Sequence, residues 1–342
     1  MKIAFFRYED WEKQSIEAHE DLKALGAETI FFEKPLTPAD AVPEEARDAE
    51  VISVFVDSAM PKEIIDTFPH LKHIATRSTG FDHIDLAYCN EKGITVSNVP
   101  SYGERTVAEQ AFALLLTISR RVIEAYGQLR ETGDFSQRPL RGFDLFGKTI
   151  GIVGTGKIGK NSARIARGFG MKVLGYDVYR DESFAHEIGM HYMELPELVH
   201  QSDIVTIHVP YMKATHHLVN KELFSHFKKG SVLINTSRGA VVDTEALIQA
   251  LDNETLAYAG LDVLEEEEAF REEEHLLATG AMTEAQAKTV LANHALIDMP
   301  NVVVTPHNAF NTWEALGRIL LTTIENIVGF ANGSPVNVVK KK

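Results

Sequence analysis

The segment that decides the fold reads VGTGKIGK and runs from Val153 to Lys160. It follows an apolar, strand-like run and opens a helical pattern, with glycines at three spaced positions, Gly154, Gly156 and Gly159. In that setting the first glycine permits a tight turn, the second lets the backbone approach a pyrophosphate, and the third lets helix and strand pack closely. The helix N-terminus then faces the phosphates. The segment predicts a dinucleotide-binding α/β domain; the alternative is that the glycines only shape a turn.

An acidic residue lies at the end of the next predicted strand. Asp177 follows the run Val173 to Tyr176, where a carboxylate would accept hydrogen bonds from the adenosine ribose of a dinucleotide. A 2′-phosphate in that place would meet a like charge, which favours NAD over NADP. Arg180, close by in the sequence, leaves NADP open as an alternative.

Apolar strand-like runs alternate with helical patterns in two series along the chain. The first series has the strand candidates Lys2 to Phe6, Val51 to Val56, His73 to Arg77 and Ile94 to Val96. The second has Ile150 to Val153, Val173 to Tyr176, Ile204 to His208, Val232 to Asn235, Tyr258 to Val263 and Val302 to Thr305. Long helical patterns cover Glu12 to Leu25, Glu104 to Ile123 and Trp313 to Phe330. Such alternation predicts parallel sheets covered by helices.

We therefore expect an α/β protein with two doubly wound parallel-sheet domains, Rossmann-like or flavodoxin-like, and a cleft between them. Residues 1–101 together with 308–342 are expected to form the substrate-binding, catalytic domain, and residues 102–307 the NAD-binding Rossmann domain. The length of 342 residues and the apolar content of 44% are enough for two such cores.

Composition narrows the classes of partner. The net charge of -15 argues against a nucleic-acid or anionic-membrane surface, because neutralising phosphates requires clustered Lys and Arg. The only basic cluster, Lys340 to Lys342, is expected to be a solvated tail. The single cysteine, Cys89, cannot form an internal disulfide, and no Cys/His spacing indicates a metal site. With no signal-peptide pattern or membrane-length apolar run, we expect a cytoplasmic protein.

Three residues with proton-transfer or anion-binding chemistry follow predicted strands of the second series: Arg238, Glu267 and His307. Ligands of doubly wound sheets bind at this end of the strands. The guanidinium of Arg238 matches a carboxylate in two-point geometry. A carboxylate beside His307 would stabilise the imidazolium and keep a proton available for a developing alkoxide. A surface ion pair and a structural histidine are the simpler alternatives, and spacing does not choose Glu267 among the glutamates of LEEEEAF.

The motifs GTGKIG, HVP, TSRG, GLDV and TPH, with Asp177 and the glutamates after GLDV, resemble the D-2-hydroxyacid dehydrogenase family, in the family's order and over nearly the whole chain. The resemblance implies that Arg238 binds the substrate carboxylate, that Glu267 partners His307, and that His307 is the proton donor. It places Asp262 near the nicotinamide. It also implies an NAD site lined by Lys157, Ile158, Val209, Pro210, Thr215, Thr236 and Ser237.

The first domain resembles the same family. TRSTGFDHIDL is similar to the loop whose backbone amides, here around Thr79 and Gly80, hold the substrate carboxylate. Tyr102 falls where D-lactate dehydrogenases carry a substrate-pocket tyrosine, and the long span from Glu267 to His307 also resembles that branch. The resemblance therefore implies reduction of pyruvate to D-lactate with NADH. Asn311, in place of a frequent aromatic residue, and Tyr211 with Met212 after HVP depart from the branch and leave the substrate preference open.

Other functions stay open at this point. A related 2-oxo acid reductase, acting on phenylpyruvate, glyoxylate, hydroxypyruvate or the 2-oxo acid that yields hydroxyisocaproate, would use the same residues. An NAD-sensing, corepressor-like binding protein would use the same fold. Formate oxidation is disfavoured because it expects an amide at Glu267, and phosphoglycerate oxidation because no regulatory domain follows the last helix. Relatives also imply a homodimer formed through the cofactor domain, with Glu104 to Ile123 as an interface element.

Overall fold

The computed structural model describes residues 1–38 and 41–339 of the chain. The chain divides into two compact units, one of Met1–Tyr102 with Asn311–Lys342 and one of Gly103–Phe310. The predicted solvated tail, Lys340 to Lys342, lies outside the described residues.

The first unit is built on a five-stranded parallel sheet. Its strands are β1 (Lys2–Phe6), β2 (Glu28–Phe32), β3 (Val51–Val54), β4 (His73–Thr76) and β5 (Thr95–Ser97), in the spatial order β2-β1-β3-β4-β5. Its helices are α1 (Asp10–Ala18), α2 (Glu20–Ala24), α3 (Lys62–Ile65), α4 (Leu86–Lys92) and, from the end of the chain, α15 (Trp313–Ala331). This strand order is that of flavodoxin-like doubly wound sheets.

The central strands of this sheet are apolar on both faces because helices cover both. Along β1, Ile3 and Phe5 pack with Leu320 and Ile324 of α15, whereas Phe6 belongs to the core on the opposite face. Successive side chains of a strand point to opposite faces, so a strand buried on both sides reads as a continuous apolar run. The run at Lys2 to Phe6 is visible in the sequence for this reason.

The second unit is built on a seven-stranded parallel sheet. Its strands are β6 (Thr149–Val153), β7 (Lys172–Tyr176), β8 (Met190–Tyr192), β9 (Ile204–Ile207), β10 (Ser231–Asn235), β11 (Leu256–Leu261) and β12 (Val302–Val304). Their spatial order is β12-β11-β10-β9-β6-β7-β8. Counted from β6, this is the Rossmann order, and the direction of winding reverses between β6 and β9.

Ten helices flank the second sheet: α5 (Glu104–Arg120), α6 (Val122–Thr132), α7 (Lys157–Gly168), α8 (Glu182–Ile188), α9 (Leu195–Gln201), α10 (Lys221–Phe224), α11 (Thr244–Asp252), α12 (Glu267–Arg271), α13 (Glu273–Thr279) and α14 (Glu284–Asp298). One core lies under α5, α7 and α8, and another under α9, α10 and α11. Within residues 1–38 and 41–339, no helix combines the length and apolar character that a membrane span requires.

The predicted fold class, two parallel-sheet α/β units, is confirmed, but the predicted bounds of two helices are wrong and two strands were missed. The helix expected from Glu104 to Ile123 ends at Arg120, because Arg121 adopts φ 50° and its amide turns back to the Thr117 and Ile118 carbonyls. The helix expected from Glu12 to Leu25 is interrupted at His19, whose extended backbone separates α1 from α2. Strands β2 and β8 were not predicted; both lie at sheet edges, where partial exposure weakens the apolar signal.

Candidate active site

The glycine-rich segment forms the turn between β6 and α7, at the point where the strand order reverses. Gly154 has φ 93°, and a Cβ there would lie 2.8 Å from the His208 carbonyl group. A Cβ on Gly159 would lie 2.0 Å from the Gly154 oxygen, so the helix meets the turn without space for a side chain. A Cβ on Gly156 would meet nothing within 4 Å. That opening faces the first turn of α7, which begins at Lys157, and it fits a pyrophosphate.

Asp177, which the sequence predicts to bind the ribose, lies beside this turn. Asp177 accepts hydrogen bonds from the Thr155 amide at 2.6 Å and from the Tyr179 amide at 2.9 Å. The Thr155 hydroxyl also donates to Asp177, at 3.2 Å. A carboxylate has about four acceptor sites, so capacity remains for one further hydrogen bond, such as one from a ribose hydroxyl. Arg180, which the sequence offered as a 2′-phosphate ligand, is paired with Glu194 at 2.6 Å. The pairing of Arg180 and the carboxylate of Asp177 both favour NAD.

The remaining residues assigned to the cofactor follow β6, β9 and β10. Thr215 donates to the Pro210 carbonyl at 2.7 Å and accepts from the Met212 amide at 2.9 Å, which closes the loop after β9. Val209 lies next to Gly154 in this loop. The Thr236 hydroxyl is buried and has no hydrogen-bond partner in the described part of the chain, as expected of a group that a bound cofactor would reach. Lys157 is exposed and forms an ion pair with Glu104, and Ile158 is half-buried. The Ser237 hydroxyl donates to the Asn235 side chain.

The structure brings His307 and Glu267 into contact. His307 follows β12 and Glu267 opens α12 after β11, and their Nδ1 and Oε2 atoms are 2.9 Å apart. An imidazole that donates its Nδ1 proton to a carboxylate leaves Nε2 as the atom that can hold or release the mobile proton. The pair can therefore act as an oriented acid–base group.

Glu267 is held as a carboxylate. Burial acts to raise the pKa of Glu267, but the hydrogen bond and charge of His307 and the Leu264 amide outweigh it, so the pKa lies below its ordinary value. The Leu264 amide donates to Oε1 at 3.1 Å and Arg271 donates to Oε2 at 3.3 Å. Glu267 is therefore a negatively charged partner for an imidazolium at neutral pH.

Asp262 shapes the backbone that carries His307. Its fully buried carboxylate accepts hydrogen bonds from the Asn308 amide at 2.9 Å, the Ala309 amide at 2.8 Å and the Thr305 hydroxyl. Burial raises the pKa of Asp262, and these hydrogen bonds offset part of the rise. Within this turn His307 has φ 51°, a left-handed conformation that is uncommon outside glycine and asparagine. The geometry gives Asp262 a part in placing the histidine, in addition to the expected proximity to the nicotinamide.

Arg238 follows β10, the strand next to β11. The Asn235 side chain fixes its turn, donating to the Arg238 carbonyl at 3.0 Å and accepting from the Ser237 amide at 3.0 Å. Gly239 packs directly on the segment after β11, where a Cβ would lie 1.9 Å from the Leu264 carbonyl carbon. Asn235 and Gly239 were missed in the sequence, because both act through contacts that no local pattern records.

The residues assigned to substrate in the first unit lie after β4 and β5. Thr79 donates from its hydroxyl to the Val99 carbonyl at 2.7 Å, and its own carbonyl accepts from Asn98 at 2.7 Å. The Gly80 carbonyl accepts from the Ser78 hydroxyl at 2.6 Å. Tyr102 accepts at its carbonyl from Arg318 at 2.7 Å. These contacts fix the shape of the loop whose amides are candidates for binding an anion.

Comparison with known proteins adds to this geometry. Residues 112–309 match the family model described as D-isomer specific 2-hydroxyacid dehydrogenase, NAD binding domain. The chain belongs to the D-isomer specific 2-hydroxyacid dehydrogenase family. It is therefore an oxidoreductase of that family, with NAD as its cofactor.

Family members that are named for different activities are about equally similar to this chain. D-lactate dehydrogenase of Escherichia coli is 34% identical over 336 residues, covering 97% of this chain and 98% of the relative. Glyoxylate reductase of Thermococcus litoralis is 37% identical over 311 residues, covering 89% and 87%. D-lactate dehydrogenase of Aquifex aeolicus, solved with NAD and lactic acid, superposes with a TM-score of 0.84 at 37% identity, covering 97% and 96%. These similarities therefore establish the family but not the substrate.

Methyl groups added at two of the three fingerprint glycines, Gly156 and Gly159, are expected to have different effects. Gly156→Ala should leave the melting temperature near that of the wild type but weaken NADH binding by at least about tenfold, because the methyl group occupies the pyrophosphate opening. Gly159→Ala should destabilise the second unit by about 1–3 kcal/mol, because its methyl group meets backbone. Thermal unfolding and NADH fluorescence titration measure the two effects. Gly168→Ala, at the far end of α7 with nothing within 4 Å, is the control and should change neither; equal NADH affinity in Gly156→Ala and wild type would contradict the assignment.

Proposed function

We propose that this family member is a D-lactate dehydrogenase that reduces pyruvate to D-lactate with NADH. The observation that carries the proposal is the 2.9 Å contact between His307 and Glu267. These two residues follow β12 and β11, and Arg238 follows the neighbouring strand β10. Such a set provides an acid, the group that orients it and a carboxylate ligand, which is what reduction of a 2-oxo acid requires.

Arg238 binds the substrate in this proposal. Its guanidinium forms two parallel hydrogen bonds with a carboxylate, a geometry that a lysine cannot reproduce. The Asn235 contacts and the close packing of Gly239 hold the turn that presents this side chain. Thr79, Gly80 and Tyr102 of the first unit are proposed as further substrate-binding residues, with the backbone amides around Thr79 and Gly80 as candidate anion ligands.

His307 supplies the proton. NADH, when bound, provides the hydride that adds to the C2 carbon of the oxo acid. As negative charge develops on the carbonyl oxygen, the His307 imidazolium transfers its Nε2 proton to that oxygen, and the product is the neutral alcohol. Glu267 keeps the ring oriented through Nδ1 and stabilises the charged form. In the oxidative direction His307 accepts the same proton.

Two features favour pyruvate among the small 2-oxo acids. The segment between Glu267 and His307 folds into the three helices α12, α13 and α14, the long span that resembles the lactate branch. Two of the similar proteins described above carry the name D-lactate dehydrogenase. The similarity to a glyoxylate reductase makes glyoxylate the first competitor. We also propose a cytoplasmic location, which agrees with a single buried, free cysteine, Cys89.

A homodimer is proposed as the assembled form. The helix α6, which continues the expected interface helix after the break at Arg121, exposes Val122, Ile123, Tyr126 and Leu129 on its surface. A contiguous apolar patch of this kind marks an interaction surface more often than a solvated one. A second copy of the same chain is its proposed occupant.

The substrate assignment predicts the ranking of specificity constants. NADH consumption should give the highest kcat/KM with pyruvate, when glyoxylate, hydroxypyruvate, phenylpyruvate and 2-oxoisocaproate are measured in parallel. His307→Gln should lower kcat for every acid by about 10²- to 10⁴-fold, because the proton donor is lost. His200→Gln, an exposed histidine on α9, is the matched control and should be unaffected.

Three other outcomes would each contradict a different part of the proposal. If glyoxylate or another acid leads, the reaction stands and the pyruvate assignment is wrong. If His307→Gln retains wild-type kcat, the proton-donor role is wrong. If no acid turns over while NADH still binds, an NAD-sensing, corepressor-like role replaces the enzymatic proposal.

The dimer proposal predicts the mass in solution. Light scattering should give twice the chain mass of 38.0 kDa, and Tyr126→Glu should shift the protein towards the monomer by placing a charge on the α6 surface. Leu291→Glu, which changes an equally exposed leucine on α14, should leave the dimer intact. A monomeric wild type would remove the proposal.

A further inference from the structure

A second imidazole–carboxylate pair lies next to the His307–Glu267 pair in the second unit. The His217 Nε2 atom is 2.6 Å from Oε1 of Glu265, and the Glu265 carboxyl is mostly buried. Glu265 precedes Glu267 by one intervening residue in the same short segment after β11. His217 lies in the connection between β9 and α10, so the pair joins two segments that are distant in sequence.

Glu265 is fixed by more than the histidine. Its second carboxylate oxygen accepts from the Thr244 hydroxyl at 2.7 Å, and its carbonyl accepts from the Asn293 side chain at 2.7 Å. The next residue, Glu266, has φ 54°, which turns the chain sharply before Glu267. Because a single residue with this left-handed backbone separates them, the position of Glu265 constrains the position of the Glu267 carboxylate.

His217 also holds the Arg238 turn. Its amide donates to the Ala240 carbonyl at 2.9 Å, in the short helical turn that directly follows Arg238. In that turn Gly239 packs directly against the peptide group between Leu264 and Glu265, and a Cβ on Gly239 would lie 1.9–2.2 Å from its backbone atoms. The amide and the ring of one residue thus contact the two segments that carry Arg238 and Glu267.

The conformation of His217 is itself constrained. Its φ of 48° lies in the left-handed region, and the His216 ring stacks on its imidazole with centroids 4.0 Å apart. Non-glycine residues keep such a backbone only where surrounding contacts impose it, and these positions cluster at functional sites. Both the backbone and the ring are therefore held in one orientation.

We propose that His217 is a positioning residue of the dehydrogenase, which sets Glu267 and, through it, His307 by fixing Glu265, and which sets Arg238 by fixing Ala240. The inference rests on the proposed reaction, since it assigns a role within that site. His217 does not touch the substrate; it acts through the two segments that do.

The test compares two substitutions of His217 with a matched pair elsewhere. His217→Asn tolerates the left-handed backbone but is too short to reach Glu265, whereas His217→Gln keeps an N–H donor at similar reach. His294, whose ring pairs with Glu273 at 2.8 Å and packs on Phe270, is the control as His294→Asn. Glu265→Gln tests the partner, because the neutral amide keeps the size and loses the charge.

We expect His217→Asn to lower kcat/KM for pyruvate by about 10- to 100-fold, because a displacement of reacting groups by about 1 Å has effects of that size. The loss should fall mainly on kcat, because His217→Asn removes the ring contact with Glu265 but keeps the backbone amide that donates to the Ala240 carbonyl near Arg238. The pH profile of reductase activity should differ from that of the wild type, because Glu267 no longer lies in the same position against His307. His217→Gln should recover most of the activity, Glu265→Gln should resemble His217→Asn in direction, and His294→Asn should match the wild type.

An NMR titration of the His307 C2 proton, assigned by comparison with His307→Gln, separates this inference from the proposed reaction. If the wild type turns over no 2-oxo acid but the titration curve of His307 shifts in His217→Asn and not in His294→Asn, the reaction is wrong and the positioning stands. If the wild type is active and neither the pH profile nor the titration curve changes, the positioning role is wrong. A loss of activity that follows only a lower melting temperature, with an unchanged pH profile in the folded fraction, would also overturn it.

Discussion

The buried carboxylate of Asp262 is the interaction on which the geometry around His307 depends. It collects the Asn308 and Ala309 amides and the Thr305 hydroxyl, and so fixes the turn in which His307 adopts its left-handed backbone. A buried charge is costly unless hydrogen bonds satisfy it, and here the donors come from the backbone that must be held. The contacts that stabilise this carboxylate are thus the same contacts that place His307, the proposed proton donor.

The topology of the second sheet explains why these groups can act together. Strands β10, β11 and β12 are neighbours and run parallel, so the segments that follow them leave the same edge of the sheet. Arg238, Glu267 and His307 each follow one of these strands. The glycine turn follows β6 at that edge, where the winding reverses. Parallel pairing therefore places a cofactor-binding turn and an acid–base pair on one side of one sheet.

Much of this could be predicted from the sequence because the signals are local. The three glycines, Asp177 and the apolar strands have patterns that follow directly from backbone geometry, and the NAD site and fold class were predicted from them. The glutamates after β11 could not be separated in this way, because adjacent residues of one type carry no local difference. In the structure Glu265 binds His217, Glu266 turns the chain and Glu267 binds His307. Their partners, which are distant in sequence, distinguish Glu265 from Glu267, and the choice of Glu267 from sequence rested on resemblance.

In the proposed reaction, hydride addition at C2 is coupled to protonation of the carbonyl oxygen by the His307–Glu267 pair. The most direct test uses NADH deuterated at both C4 positions in ordinary water, with pyruvate as the acceptor and NMR and chiral analysis of the product. We expect D-lactate with one deuterium at C2. Hydrogen from water at C2, or a product of the opposite configuration, would contradict it.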